Sequence, residues 1–304
     1  MHDFLSISDV TAAELLAIMD RSVKVKADPS SEGWALEGVA VAMIFEKPST
    51  RTRASFEVAT GQMGGTPVVL TTADLQLGRG ESIHDTGRVL SRYCQAIVLR
   101  TFGHDRLQAL ADGADVPIIN ALSDLEHPCQ AVADLFTIRE RLGRLEGVVV
   151  TYLGDGNNTV HALMLAAARF GMHVRIASPR GYAPDPEVTR RAEEAAAGSG
   201  GSITITQDPV AAAADADVLY TDVWASMGWE EEAGERAAVF PPFALDEAAL
   251  ARAKPDALVM HCLPAHRGQE ISDAVLDGPN SVVWDQAENR LHTQKGILLY
   301  ALER

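Results

Sequence analysis

The sequence predicts an α/β protein made of two doubly wound parallel-sheet domains, with the active site in the cleft between them. Three observations carry that expectation. Short apolar runs alternate with amphipathic helical patterns along most of the chain, the signature of parallel strands covered on both faces. The alternation pauses at Gly143 and Gly147 and then starts again. At 304 residues the chain is long enough for two ordinary domains.

The elements follow in order. Residues 8–26 carry a helical period, with Leu15, Leu16 and Met19 on the apolar face. Residues 39–45 read as a buried strand, followed by a helix over 50–63 and a strand over 67–70. A helix over 81–94, a strand over 96–99, a helix over 105–112 and a strand over 117–119 come next. Residues 128–142 form a long helix with Val132, Leu135, Phe136 and Ile138 on its apolar side. The second set opens with a strand over 148–153, a helix over 159–170 and a strand over 173–177. An Ala- and Glu-rich helix ends near Gly198. Strands follow around Ile203 and over 218–222, 258–261 and 282–284, and a helix over 289–303 closes the chain. These patterns divide the chain into a first domain over 1–139, a second over 140–285, and a C-terminal helix over 286–304 that packs back on the first.

Composition narrows the function. With 26 basic and 42 acidic side chains the net charge is −16, which opposes binding to nucleic acid or an anionic membrane. Cys94, Cys129 and Cys262 are widely spaced, without a C-x-x-C pair, so neither a disulfide framework nor a structural zinc site is expected. The N-terminus has no basic-then-apolar leader and no stretch is apolar enough to span a bilayer, so the expected location is the cytoplasm.

Parallel sheets bind ligands outside the carboxyl ends of their strands, so the loops after each strand matter most. After the first strand, Ser49-Thr50-Arg51-Thr52-Arg53 leads straight into a helix, with Ser49 or Thr50 suited to cap it. Free N–H groups, the positive helix end, two guanidinium groups and several hydroxyls together make an anion site. Taken alone, the same residues could be a capped helix with solvated arginines. Arg100 directly follows the third strand and points to the same crevice. After the fourth strand, His127-Pro128-Cys129-Gln130 opens a helix, with Pro128 suited to its first turn. A helix N-terminus disfavours extra positive charge, so His127 is expected to be neutral and able to donate to a carbonyl oxygen.

S-T-R-T-R, the later arginine and H-P-x-Q resemble, in type and order, the carbamoyl-phosphate signature of the aspartate/ornithine carbamoyltransferase family. The resemblance runs along essentially the whole chain. It implies that Ser49, Thr50, Arg51 and Thr52 hold the phosphate of carbamoyl phosphate, and that Thr52, Arg100 and His127 face the carbonyl oxygen. It further implies that Gln130, Arg290 and the Leu263 carbonyl hold the carbamoyl amide. Gln76 matches a residue that family members lend to a neighbouring subunit, which implies a homotrimer. The implied reaction needs neither a metal nor a cofactor.

The acceptor is read from the second half. Between Asp217 and Glu235 there is no lysine or arginine, whereas Asp222 stands at a strand's carboxyl end. A site for aspartate needs a cation, and one for a diamino acid needs an anion. Asp222-x-x-x-Ser226-Met227-Gly228 resembles the ornithine loop of the family, and His261-Cys262-Leu263-Pro264 resembles its ornithine branch. Asn158 matches an ornithine ligand. The resemblance therefore implies carbamoyl transfer to the δ-amine of L-ornithine, giving L-citrulline and phosphate for arginine biosynthesis. Ornithine contacts would be Asn158, Asp222, Ser226 and Met227; Cys262, Arg100, His127 and Asp222 would carry the chemistry, with Cys262 also beside carbamoyl phosphate. A dinucleotide-binding reading of Gly154-Asp155-Gly156-Asn157-Asn158 fails, because the third glycine is missing and the next strand ends in Ala177-Ser178-Pro179 without an acidic residue.

Overall fold

The computed structural model describes residues 1–72, 75, 80–225 and 230–303, with Glu230 described by its backbone. It divides into two compact units, Met1–Ala133 with Glu288–Arg304, and Asp134–Ala287.

In the first unit, α1 (Ala12–Ala27) begins with a capping box in which the Thr11 side chain accepts from the Glu14 N–H and Glu14 answers to the Thr11 N–H. Leu15, Ile18, Met19 and Val25 are buried. Leu16, expected on that face, is 40% exposed; it lies about 100° round the helix from Leu15. The elements β1 (Ala40–Phe45), α2 (Thr50–Gln62), β2 (Thr66–Thr71), α3 (Ile83–Leu90), β3 (Ala96–Arg100), α4 (His104–Gly113) and β4 (Ile118–Leu122) follow. α3 is shorter than its sequence pattern, because the chain leaves the helix in a series of turns after Leu90. The four strands are parallel in the order β2-β1-β3-β4. The order reverses between β1 and β3, where Phe45 lies beside Arg100. α5 (Pro128–Leu142) leaves this unit.

The second unit holds β5 (Val149–Leu153), α6 (Asn158–Ala168), β6 (His173–Ala177), α7 (Pro186–Ser199), β7 (Ser202–Thr206), α8 (Pro209–Ala213), β8 (Val218–Thr221), α9 (Ala233–Val239), α10 (Glu247–Leu250), β9 (Leu258–His261) and α11 (Asp273–Leu276). Its five parallel strands run in the order β7-β6-β5-β8-β9. The order reverses between β5 and β8, where Leu153 lies beside Thr221, and Thr221 beside His261. Leu153, Ala177, Leu219, Val259, Phe243 and Val283 share one buried cluster.

The strand expected over 282–284 is not a strand. Val282 bonds back to Val259, and from Val283 the chain is already α12 (Val283–Ala301). Asp285 in the first turn suits the positive end of that helix, whereas the apolar run before it had suggested a strand. Further on, in the first unit, the Lys26 ammonium donates to Asn289 across 2.8 Å and the Tyr300 hydroxyl donates to Glu14 across 3.0 Å.

Candidate active site

Two polar clusters, one in each unit, stand at the strand-order reversals, where open α/β sheets leave a crevice for ligands. In the first unit, Ser49 occupies the N-cap of α2 but its side chain makes no capping bond, contrary to the expected cap. No acidic residue lies in the first turn, so the N–H groups and positive end of α2 keep their capacity for an anion. Thr50 and Arg51 are exposed at this end, and Thr52 is buried. Arg53 turns away and pairs with Glu57 one turn on, across 2.7 Å.

Behind the helix end is a buried polar cluster. The Arg290 guanidinium donates to Gln130 Oε1 across 2.5 Å and to Thr52 Oγ1 across 3.3 Å. These bonds join α12, α5 and α2 at one place. Thr52, Arg100, His127, Gln130 and Arg290 are all buried. Burial, and then the positive charges of Arg290 and Arg100, push the His127 imidazole well below its ordinary pKa. His127 is therefore neutral, as expected, but burial and two guanidinium groups supply the cause. Its Nδ1 is buried without a hydrogen-bond partner among the described residues, a cost that a polar ligand would remove.

Glu46 and Lys47, which carried no role in the sequence reading, brace the loops around this cluster. Glu46 accepts from Thr101 and from Arg106. Lys47 pairs with Asp124 across 2.5 Å and lies 4.3 Å from the centre of the Phe102 ring. Both residues immediately precede S-T-R-T-R, but a strand-end Glu-Lys pair has no distinctive sequence signal.

In the second unit Asp222 is the focus. Its carboxylate accepts from Asn157 Nδ2 across 2.8 Å, Thr159 Oγ1 across 3.2 Å and its neighbour's Val223 N–H across 2.8 Å. The Cys262 thiol donates to it across 2.9 Å. Asn157 is also the N-cap of α6, accepting from the Thr159 and Val160 N–H groups, and so fixes this loop. The sequence reading named Asn158 and did not name Asn157 or Thr159; the run Gly156-Asn157-Asn158-Thr159 before an apolar helix was the signal that could have found them. Asn158 opens α6 beside them.

Further out, Asp155 pairs with Arg236 across 2.9 Å. Burial raises the Asp155 carboxyl to about 6, against the pull of Arg236. Arg236 also donates to the Trp224 carbonyl across 2.6 Å and lies 4.9 Å from the centre of the Tyr182 ring. Gly156 is needed here, since a Cβ would lie 2.2 Å from the Pro184 nitrogen.

The ligating atoms of Asp222, His261 and Cys262 lie within 4.8 Å of one another. The imidazole, however, is committed on both sides. Its Nδ1 accepts the Leu263 N–H across 2.8 Å, and its Nε2 faces Glu270 Oε1 at 3.2 Å. That leaves no lone pair for a metal, which needs one from its histidine ligand. Leu263 itself has φ +59, a left-handed conformation costing on the order of 1–3 kcal/mol for a non-glycine residue.

The structure thus brings Thr52, Arg100, His127, Gln130 and Arg290 together in one unit, and Asp222 and Cys262 together in the other. Gln76, Ser226 and Met227 lie outside the described residues. No helix among the described residues is long and apolar enough to cross a membrane.

Comparison with known proteins agrees across the chain. A family model described as aspartate/ornithine carbamoyltransferase, carbamoyl-P binding domain, matches residues 2–140. A second, the Asp/Orn binding domain of the same name, matches residues 146–301. An ornithine carbamoyltransferase of Parafrankia sp. (strain EAN1pec) is 57% identical over 303 residues, covering 99% of this chain and 96% of that protein. One of Pyrococcus furiosus described as anabolic is 54% identical over 98% of this chain and 95% of its own length. A solved Pyrococcus furiosus ornithine carbamoyltransferase has a TM-score of 0.95 at 53% identity, covering 99% of this chain and 97% of that one.

Proposed function

The chain belongs to the aspartate/ornithine carbamoyltransferase family, and from that premise we propose that it transfers the carbamoyl group of carbamoyl phosphate to the δ-amine of L-ornithine in the direction of arginine synthesis. The products are L-citrulline and phosphate. The observation that carries the choice of acceptor is Asp222, a buried carboxylate whose described partners are amide, hydroxyl and thiol donors and never a guanidinium or ammonium group. An anion left without a cation suits a cationic acceptor.

In the first unit, carbamoyl phosphate lays its phosphate on the open end of α2 at Ser49, Thr50, Arg51 and Thr52. Thr52, Arg100 and His127 direct donors to the carbonyl oxygen, where negative charge grows as the amine adds. Gln130 accepts from the carbamoyl amide, as does the Leu263 carbonyl, while Arg290 holds Gln130 in place. Gln76 joins the phosphate contacts from a neighbouring subunit of a homotrimer. In the second unit, Asp222 faces the amino groups of ornithine, the reacting δ-nitrogen included, Asn158, Ser226 and Met227 hold its amino-acid end, and Cys262 orients Asp222. The new C–N bond forms as the C–O bond to phosphate breaks. The leaving phosphate takes the electron pair, and the amine gives up a proton to solvent or phosphate. An alkyl amine of pKa about 10.4 is neutral in only about one molecule in 2,500 at pH 7, so binding the reactive form is a large part of the task.

A cytoplasmic location fits the absence of a membrane-spanning helix among the described residues. The deciding experiment offers carbamoyl phosphate with ornithine, aspartate, putrescine or N-acetylornithine. Citrulline from ornithine alone is expected; turnover of another acceptor overturns the reading of Asp222, and no turnover at all overturns the reaction. Light scattering at the trimer mass tests the assembly.

A further inference from the structure

Glu270 lies nine residues beyond His261 in sequence and is fully buried, as is the His261 side chain it meets. Hydrogen-bond geometry decides the tautomer of that histidine. The donor to Nδ1 is the backbone N–H of Leu263, which cannot accept, so Nδ1 must carry a lone pair. The proton of a neutral imidazole is then on Nε2, where the Glu270 carboxylate faces it at 3.2 Å. The same Glu270 oxygen accepts the N–H of His266 on the far side of the loop. Its other oxygen is 3.9 Å from the His266 ring. The strand end is held from behind as well: the His261 N–H donates to Gln286 Oε1 across 3.0 Å, and Gln286 donates to Asp134 across 2.7 Å.

The consequence falls on the next peptide. Leu263 sits at φ +59, where a bulky side chain needs an external hold. The bond from its N–H to Nδ1 supplies one. Cys262 and Leu263 flank that peptide, and they carry the thiol beside Asp222 and the carbonyl assigned to the carbamoyl amide. We propose that Glu270 is a positioning residue for carbamoyl transfer: by accepting the Nε2 proton of His261 it leaves Nδ1 free to hold the Leu263 N–H, and so aims the Leu263 carbonyl. This rests on the carbamoyl-transfer reading above, but its geometry can be tested without it.

Three measurements on the full chain test it. Long-range nitrogen–proton NMR of the wild-type histidines reads the tautomer directly; His261 is expected as the Nε2–H form, and an Nδ1–H form overturns the proposal. Glu270→Leu removes the acceptor at similar volume. It should raise KM for carbamoyl phosphate about tenfold with a smaller change in kcat, the effect of losing roughly one hydrogen bond's worth of hold. Glu270→Gln still presents an oxygen to Nε2–H and should stay within about threefold of wild type. His261→Asn puts an amide oxygen near the Nδ1 position, whereas His261→Gln puts one near Nε2. The asparagine variant should keep carbamoyl-phosphate affinity better, and in its background Glu270→Leu should add no further change in KM.

Equal behaviour of the two His261 variants, or wild-type KM in Glu270→Leu, overturns the proposal. Should Glu270→Leu fail to fold, the tautomer and the Asn–Gln comparison decide. A wild-type protein that makes no citrulline instead sinks the functional reading, and the NMR result still stands for or against the geometry.

Discussion

The Cys262 thiol donates to the Asp222 carboxylate across 2.9 Å. Asp222 already accepts from Asn157, Thr159 and the Val223 N–H, so the thiol completes a shell of donors around one anion. A group that gives its proton to a neighbouring carboxylate at rest acts first as an orienting donor. Cys262→Ser keeps a donor at that position. It is expected to hold kcat within about tenfold of wild type, the scale of one altered hydrogen bond. Steady-state kinetics with both substrates checks this, and a kcat loss of about 10²–10³ would assign Cys262 to proton removal instead.

His127 should contribute as a neutral donor throughout the working pH range. Burial and the charges of Arg290 and Arg100 hold its pKa well below the ordinary histidine value. The profile of kcat/KM for carbamoyl phosphate should therefore show no His127 ionisation near pH 6.5. His127→Ala should lower kcat by about 10²–10³, as for loss of one donor to a developing oxyanion. The sign for stability follows from the same depression: the unfolded chain takes up a proton first. Wild type should lose stability relative to His127→Gln as pH falls below about 6.5, read by urea unfolding across pH.

Asp155 should behave in the opposite sense to an ordinary ion-paired carboxylate. Its pKa is raised to about 6, with burial outweighing Arg236. The folded protein therefore binds this proton more tightly than the unfolded chain. Its contribution is most favourable at low pH and is lost as pH rises from about 4 through about 6, by about 3 kcal/mol in all. The stability of wild type minus that of Asp155→Asn should fall over that window and level off above it. A flat difference would mean that Arg236 controls the pair.

Much of this was legible in the sequence, and the reasons for the failures are specific. Buried parallel strands announce themselves as apolar runs, so β1, β5 and β9 were readable from local composition. The run at Val282-Val283-Trp284 looked the same but starts α12, because three residues cannot distinguish a strand from a helix's first turn. Thr52, Arg100 and His127 were singled out from polar motifs at or just after strand ends, and the structure buries all three in one unit. Asn157 was not named beside Asn158, since which of two adjacent asparagines caps α6 is not written in the sequence. Glu270 was beyond reach: its role depends on a histidine tautomer set by a backbone N–H, which has no sequence signature.

Gly156 tests how tightly the Asp155 loop is built. A Cβ there would sit 2.2 Å from the Pro184 nitrogen and 2.3 Å from the Ala183 carbonyl carbon, both backbone atoms that cannot swing aside. Gly156→Ala should cost about 1–3 kcal/mol in urea unfolding, as for overpacking. Because the same loop leads to Asn157 and Asp222, KM for ornithine should rise while carbamoyl-phosphate binding stays unchanged. A loss shared equally between the substrates would place the strain elsewhere.

Arg290 should prove irreplaceable even by another cation. One guanidinium reaches Gln130 through Nη1 and Thr52 through Nη2, spanning two helices from a third. A lysine has one nitrogen on a flexible stem and cannot reproduce that fork. Arg290→Lys keeps the charge beside His127, so the neutral state of the imidazole should survive. What it loses is the hold on Gln130 and Thr52, each assigned to carbamoyl phosphate. KM for that substrate should rise roughly ten- to a hundredfold, the loss of one charge-assisted bond. KM for ornithine at saturating carbamoyl phosphate should change little. An unaltered KM would mean that the charge of Arg290, rather than its geometry, is what the site uses.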